Sequence, residues 1–183
     1  ENKIILVEKE KSNNEIIKEL LKIRSKRKKP FFDNKTQLDL NCLWISSLVA
    51  ADDILPEKKY LKLAEDFFSK IEEKYLKKNI YHSYSKDTVF IEDYAFLVNA
   101  LNDLSDKTMN FKYKNLAKKI IDEAIIKFYL NDKNIFQKNI KDNNDVFFNP
   151  IDIGDNTIPN GNAIMLINFI RLGMMDEAKK LSH

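Results

Sequence analysis

Three acidic residues in this chain stand where chemistry is easiest to build: Asp39 opens one apolar segment, and Glu92 and Asp93 open another. Two carboxylates about 5 to 10 Å apart hydrolyse a glycosidic bond, one as proton donor and the other as base or nucleophile. His82, in the polar stretch ahead of Glu92, supplies an imidazole of the kind a sugar epimerase needs to remove a proton. Asp39, Glu92, Asp93 and His82 are therefore the candidate catalytic residues. Each also has a purely structural reading. Acids in a first helical turn cap backbone N–H groups and favour the helix dipole, and a loop histidine is commonly an exposed or hydrogen-bonded bystander. Candidate substrate contacts are Asp33, Asn41, Tyr94, Asp155, Asn160 and Asn162. Tyr94 sits beside a polar helix start and offers a ring for sugar stacking, whereas the periodic placement of Trp44 and Phe96 reads as core.

Other chemistries find little support. One cysteine, Cys42, makes an internal disulfide framework impossible and is compatible with a reducing cytoplasm. With His82 and His183 the only histidines, a structural zinc site is not expected. The clusters Asp142–Asp145 and Asp152–Asp155 lack the spacing and glycine of a calcium loop and read as turns. There is no serine nucleophile elbow and no Gly-rich phosphate loop, so neither a metal nor a cofactor is expected. The net charge is +3, with one basic run, Lys22, Arg24, Lys26, Arg27, Lys28 and Lys29. That run would suit phosphate, or it ends a helix before Pro30 and offsets its dipole. No aromatic interleaving accompanies it, and no nucleic-acid partner is expected. No apolar run approaches the roughly 18 residues that span a bilayer, and Glu1–Glu8 lacks the layout of a secretory signal, so the expectation is a cytoplasmic protein with no membrane partner.

The elements that must position these side chains are helices. Only three glycines and four prolines interrupt 183 residues rich in Lys, Glu, Leu, Ile and Ala. Apolar periodicity predicts helices over residues 14–27, 38–54, 91–104, 110–129 and 160–172, and another starting at 175. Pro56 reads as a first-turn proline of a helix ending near 75. Any strands should be short and confined to 77–90 and 130–150.

These helices repeat. One class reads Asn41/Trp44/Ile45/Leu48/Val49, then Asp93/Phe96/Leu97/Ala100/Leu101, then Asn162/Met165/Leu166/Phe169/Ile170. It carries few charges along its middle, as a helix buried on most sides should. The second class reads Tyr60/Leu63/Ala64/Phe67/Phe68/Ile71, then Tyr113/Leu116/Ala117/Ile120/Ile121/Ala124, and begins again at Met174/Ala178/Leu181. Its Lys/Glu face suits an outer helix. Links from inner to outer helices are short, whereas those returning to inner helices, 28–37, 77–90 and 130–159, are long and fall at the inner-helix N-termini. Long loops at one end of an array commonly carry function. A superhelical repeat of the tetratricopeptide kind is the other architecture open to such a pattern.

Three stretches resemble the spermatogenesis-associated protein 20 family: Arg24-x-x-Arg27-x-x-Pro30-x-x-Asp33-x-Lys35 with Asp39-x-Asn41, then Glu92-Asp93-Tyr94-Ala95-Phe96-Leu97, then Asp155-x-Thr157-x-Pro159-x-Gly161-Asn162. The chain departs from the family pattern at Leu40 and Cys42, where a tryptophan and a glycine are usual. The resemblance implies an all-α fold of tandem helical hairpins. They would form part of an (α/α) toroid of the six-hairpin glycosidase and N-acylglucosamine 2-epimerase type. It further implies that residues 1–183 are one partial toroid domain, and that the full-length protein adds a thioredoxin-like domain not contained in this chain. The expected partner is a carbohydrate or sugar derivative at the toroid mouth. A non-catalytic scaffold that docks the thioredoxin-like domain or another protein is the alternative, and unpaired helices at the ends would favour self-association.

Overall fold

The computed structural model describes residues 14–77, 79–83, 88–140 and 149–182. The Glu1–Glu8 patch, the Asn13 cap, Tyr84, the Asp142–Asp145 cluster, the apolar piece 146–148 and His183 lie outside the described residues. The chain divides into two compact units, Glu1–Asn34 and Lys35–His183. The first contributes helix α1 (Asn14–Ser25), with Ile16, Ile17, Leu20, Leu21 and Ile23 all exposed.

The second unit holds α2 (Leu38–Ile54), α3 (Tyr60–Tyr75), α4 (Ile91–Thr108), α5 (Phe111–Phe128), α6 (Gly161–Leu172) and α7 (Met175–Leu181). Between α5 and α6 lies a two-stranded antiparallel ribbon, β1 (Tyr129–Leu130) with β2 (Ile135–Phe136), Tyr129 facing Phe136. Sheet structure among the described residues is otherwise one isolated bridge, Gln37 to Ser83. Helix α4 is the hub: it packs on α2, α5 and α6, while α3 pairs with α2 and α7 with α6. Inner helices α2, α4 and α6 thus alternate with outer helices α3, α5 and α7, as the two sequence classes require. Every residue from Ile91 to Val98 is buried. Burying one large apolar side chain stabilises a fold by roughly 1.5 to 3 kcal/mol, so the row Phe96, Leu97, Leu101 and Leu104 dominates the core. Phe96 is core as expected, but Trp44 is 53% exposed. Its helix α2 packs on α4 and α3, and among the described residues the side that bears Trp44 and Leu40 stays exposed.

Helix ends follow local chemistry. The α5 start is capped by Asn110, whose side chain accepts from Lys112 N, and α6 by Asn160, which accepts from Asn162 N and Ala163 N. Gly173 adopts φ 78° and stops α6, a conformation glycine reaches without strain. Helix α4 runs to Thr108, four residues beyond the expected end, and Met109 takes the left-handed conformation there. Pro56 does not open α3, which begins at Tyr60. The cap comes from elsewhere: the buried Asp52 carboxylate on α2 accepts Leu61 N at 3.1 Å, fixing the α3 start from across the hairpin. No described helix is long and apolar enough to cross a membrane.

A polar clasp locks α6 to α4. The wholly buried Asn168 donates from Nδ2 to Ala95 O at 2.8 Å and accepts from Asn102 Nδ2 at 3.2 Å. Losing one partner of a buried pair costs about 1 to 3 kcal/mol. Asn168→Ala should therefore lower unfolding free energy by about that amount in a urea titration, with little change in helix content.

Candidate functional site

The starts of the inner helices are stitched into one surface by backbone bonds. Leu38 N donates to His82 O at 2.9 Å, and His82 N donates to Thr88 O at 2.8 Å, so the loop ahead of α4 is tied to the start of α2. Ile91 N donates to Lys138 O at 3.1 Å, and Lys138 N to Pro150 O at 2.9 Å, which fastens the segment after the ribbon to the start of α4. Asn162 completes the assembly: its Oδ1 accepts Phe136 N at 2.8 Å and its Nδ2 donates to Phe136 O at 3.0 Å and Asp152 O at 3.1 Å. Gly161 allows a close approach here, since a Cβ would stand 3.1 Å from Ile91 Cγ2 and the Ile91 side chain would have to give way.

These ties enclose a cavity of about 360 Å³. Asp39 and His82 form one part of its wall, Phe90, Glu92 and Lys138 another, and Asp152, Gly154 and the segment from Asn156 to Asn160 the rest. Beneath the wall lies Asp93, wholly buried. Its Oδ2 accepts Phe90 N at 2.9 Å, the capping role. Its Oδ1 accepts Asp39 N at 3.3 Å and faces His82 Nδ1 at 2.9 Å, which no purely local cap does. On the other side of the imidazole, His82 Nε2 lies 3.0 Å from the Gln37 side-chain nitrogen. Both ring nitrogens are thus engaged: Nδ1–H donates to Asp93 and Nε2 accepts from the Gln37 amide. Phe90 abuts the same ring edge-on at 4.9 Å.

The acids differ in what surrounds them. Asp39 Oδ1 accepts Leu40 N at 2.8 Å. Burial pushes the Asp39 carboxyl up, Leu40 N opposes this, the Asp93 charge adds to it, and His82 offsets it. Glu92 is only 8% exposed, and its Oε2 has no hydrogen-bond partner among the described residues. Its Oε1 stands 3.9 Å from Lys138 Nζ, too far for a hydrogen bond. Burial raises the Glu92 carboxyl as well, and the Lys138 charge only partly offsets this. His82 is raised chiefly by its hydrogen bond to Asp93.

Of the residues singled out in the sequence, Asp39, His82, Glu92 and Asn160 line the cavity and Asp93 supports it. Others turn away. Tyr94 is wholly buried and points to the outer helix, its hydroxyl donating to Glu123 at 2.7 Å and accepting from Lys127 at 3.0 Å. The fourth position of α4 faces α5 and not the mouth, so Tyr94 is a packing residue there. Asn41 bonds back to Gln37 O at 2.6 Å. Asn162 clasps the ribbon, and Asp155 Oδ1 accepts Asn160 N at 2.8 Å, so both shape the wall from outside it. Asp33 belongs to the first unit. Sequence reasoning missed Gln37, Phe90, Lys138 and Asp152. Lys138 and Asp152 sit in an irregular polar stretch with no periodicity to mark them, whereas Gln37, at the N-cap of α2, was open to notice.

No family profile and no curated sequence matches the chain. Solved structures do. A cellobiose 2-epimerase from Bacillus thermoamylovorans superposes with a TM-score of 0.65 at 16% identity, over 80% of this chain and 43% of that one. A glycoside hydrolase family 76 mannosidase from Bacteroides thetaiotaomicron gives 0.64 at 15% identity, over 82% and 44%. A sugar epimerase from a ruminal bacterium gives 0.60 at 16% identity, over 82% and 42%. The fold is therefore part of an (α/α) toroid of the glycosidase and epimerase type. The chain spans less than half the length of each of these neighbours.

The site makes stability pH-dependent with a definite sign. Asp39, Glu92 and His82 all hold protons more tightly folded than unfolded. Stability falls with pH wherever the native state binds more protons. Raised carboxyls weaken the fold as pH climbs past their unfolded values near 4. The His82 contribution is complete below about 6.5 and disappears as pH passes its raised folded value. Unfolding free energy in metal-free buffer should decline as pH climbs from about 4, and His82→Gln should flatten the part above about 6.5. Urea titrations at several pH values check both.

Proposed function

We propose that this chain carries the saccharide-processing mouth of an (α/α) toroid, acting on a sugar or sugar derivative by proton transfer from carboxylates. One observation carries the reading: acidic and polar side chains from the starts of α2, α4 and α6 and from two long loops converge on a single cavity. A volume of about 360 Å³ suits one or two sugar rings. Glu92 is the proton donor in this reading, because its enclosed Oε2 lacks a partner and a glycosidic or hydroxyl oxygen is the partner it lacks. Asp39, across the wall, is the second carboxylate, and the Asp93–His82–Gln37 chain fixes the geometry between them. The two engaged nitrogens of His82 make it an orienting group unless Gln37 swings aside, in which case Nε2 becomes a base. Lys138 offers a donor for hydroxyl groups, and the Phe90 ring offers a stacking edge.

Several features support this assignment. The fold neighbours bear epimerase and mannosidase names, and the three motifs resemble the spermatogenesis-associated protein 20 family. Membership of that family, with its thioredoxin-like domain, is part of the same proposal. A scaffold reading draws on one specific feature: Leu40 and Trp44, 46% and 53% exposed on α2, are an uncovered apolar strip of the sort that docks another protein.

The test is a set of substitutions in the longest natural polypeptide that carries this chain, assayed against mono- and disaccharides by calorimetry and product analysis. Glu92→Gln should cut turnover on the order of 10²- to 10⁴-fold with an unchanged melting temperature, since a catalytic proton is lost and no hydrogen bond is. Asp93→Asn should lower the melting temperature, because the cap and the bridge to α2 both weaken. If no saccharide binds or turns over, or if Glu92→Gln alters only stability, the acid is structural and the scaffold reading stands.

A further inference from the structure

We propose that Asp39, His82 and Asp93 form a binding site for a divalent transition-metal ion in the floor of the cavity. A carboxylate oxygen from each aspartate and a ring nitrogen of His82 all lie within 4.8 Å of one another. His82 Nδ1 is 2.9 Å from Asp93 Oδ1 and 3.9 Å from Asp39 Oδ1. Atoms sharing a metal ion at about 2.0 to 2.2 Å each are separated by roughly 3 to 4 Å, so one ion fits between these three with little movement.

The donors are also positioned by hydrogen bonds, as metal ligands are. Asp93 is braced from behind through Oδ2 by Phe90 N at 2.9 Å, and Asp39 Oδ1, the oxygen that faces His82, itself accepts Leu40 N at 2.8 Å. The imidazole is braced at Nε2 by the Gln37 amide at 3.0 Å. In the metal-free ring Nδ1 carries the proton and Gln37 donates to Nε2. With a cation at Nδ1 the proton moves to Nε2, and a half-turn of the Gln37 amide presents its oxygen as acceptor. The same side chain therefore supports both states. The buried Cys42 is not part of this donor set, which gathers Asp39, His82 and Asp93 alone among the described residues.

The donor set decides which ion. One imidazole and two carboxylates suit Mn²⁺, Fe²⁺ or Zn²⁺, whereas Ca²⁺ asks for six to eight oxygens that the site does not gather. Three protein ligands leave coordination positions open toward the cavity, where Asp39 and His82 form part of the wall. Water, or adjacent hydroxyls of a sugar, would fill them. A second observation points the same way: Glu92 Oε2, buried without a partner among the described residues, lines the same cavity as Asp39 and His82 and would be satisfied by a metal-bound water. The proposal goes beyond the saccharide reading and does not depend on it.

The experiment uses chelator-treated protein and the metal alone. Titration with MnCl2 and with ZnCl2, followed by calorimetry, should show one ion per chain in the micromolar range or tighter for at least one of the two. His82→Gln and Asp39→Asn, each checked for unchanged circular dichroism, should weaken binding by at least about tenfold. Because only two histidines are present, ¹⁵N spectra resolve the ring directly, and His82 should shift its proton from Nδ1 to Nε2 on metal addition while His183 does not. Absence of stoichiometric binding in the intact chain, or binding by both variants as tight as by the unsubstituted chain, overturns the site. That outcome leaves the Glu92→Gln saccharide test untouched, so the two readings fail separately.

Discussion

The mouth of this molecule depends on one buried carboxylate. Asp93 caps the helix that carries it through Phe90 N, takes Asp39 N from the neighbouring inner helix, and orients the His82 ring. A cap alone would use one oxygen. Using both fixes the starts of α2 and α4 in register and makes the loop between α3 and α4 a wall of the cavity. A charge with no exposed surface is costly unless hydrogen-bonded, and here backbone donors on two helices satisfy it. The geometry of the whole polar floor follows from that satisfaction.

The same gathering of acids works against stability. Asp39 and Glu92 are buried near Asp93, and both are pushed toward their neutral forms. What holds the arrangement is the apolar column of α4, with Phe96, Leu97, Leu101 and Leu104 almost wholly enclosed by α2, α5 and α6. Strain at one end of a helix and packing along its length are thus complementary, a division common where a rigid element presents a reactive site. Small residues serve the same end: Ala95 and Ala100 let neighbours approach, and Gly161 admits the start of α6 beside Glu92.

The described parts of the loops that follow α3 and the ribbon are tied into the site. Asn160 and Asn162 look like successive polar residues at a helix start, and each has a distinct duty. Asn160 caps α6 and reaches Asp152 O, while Asn162 pairs with both backbone groups of Phe136 as a strand neighbour would. Through them, the ribbon and the segment from Asp152 to Pro159 become a lid edge of fixed height, and Lys138 is delivered to within 3.9 Å of Glu92.

Periodicity was enough to determine the alternation of inner and outer helices, because burial of a 3.6-residue stripe is a local demand that each segment states for itself. It located α2 to the residue, and Gly173 announced its own left-handed stop. It also gathered Asp39, Glu92 and Asp93 as one group, since equivalent repeat positions must share an end. What it could not decide was direction. Tyr94 and Asp93 are adjacent in sequence, yet about 100° of helical rotation sends one to α5 and the other under the cavity. Trp44 carries the periodicity of a core residue but lies exposed, because whether a stripe is covered depends on a neighbouring helix and not on the stripe. Lys138 and Gln37 reach the site through backbone ties across more than 40 residues, Ile91 N to Lys138 O and Leu38 N to His82 O, and such pairings leave no trace in local spacing. Residue types and repeats are properties of segments; the convergence of side chains on a cavity is a property of their packing.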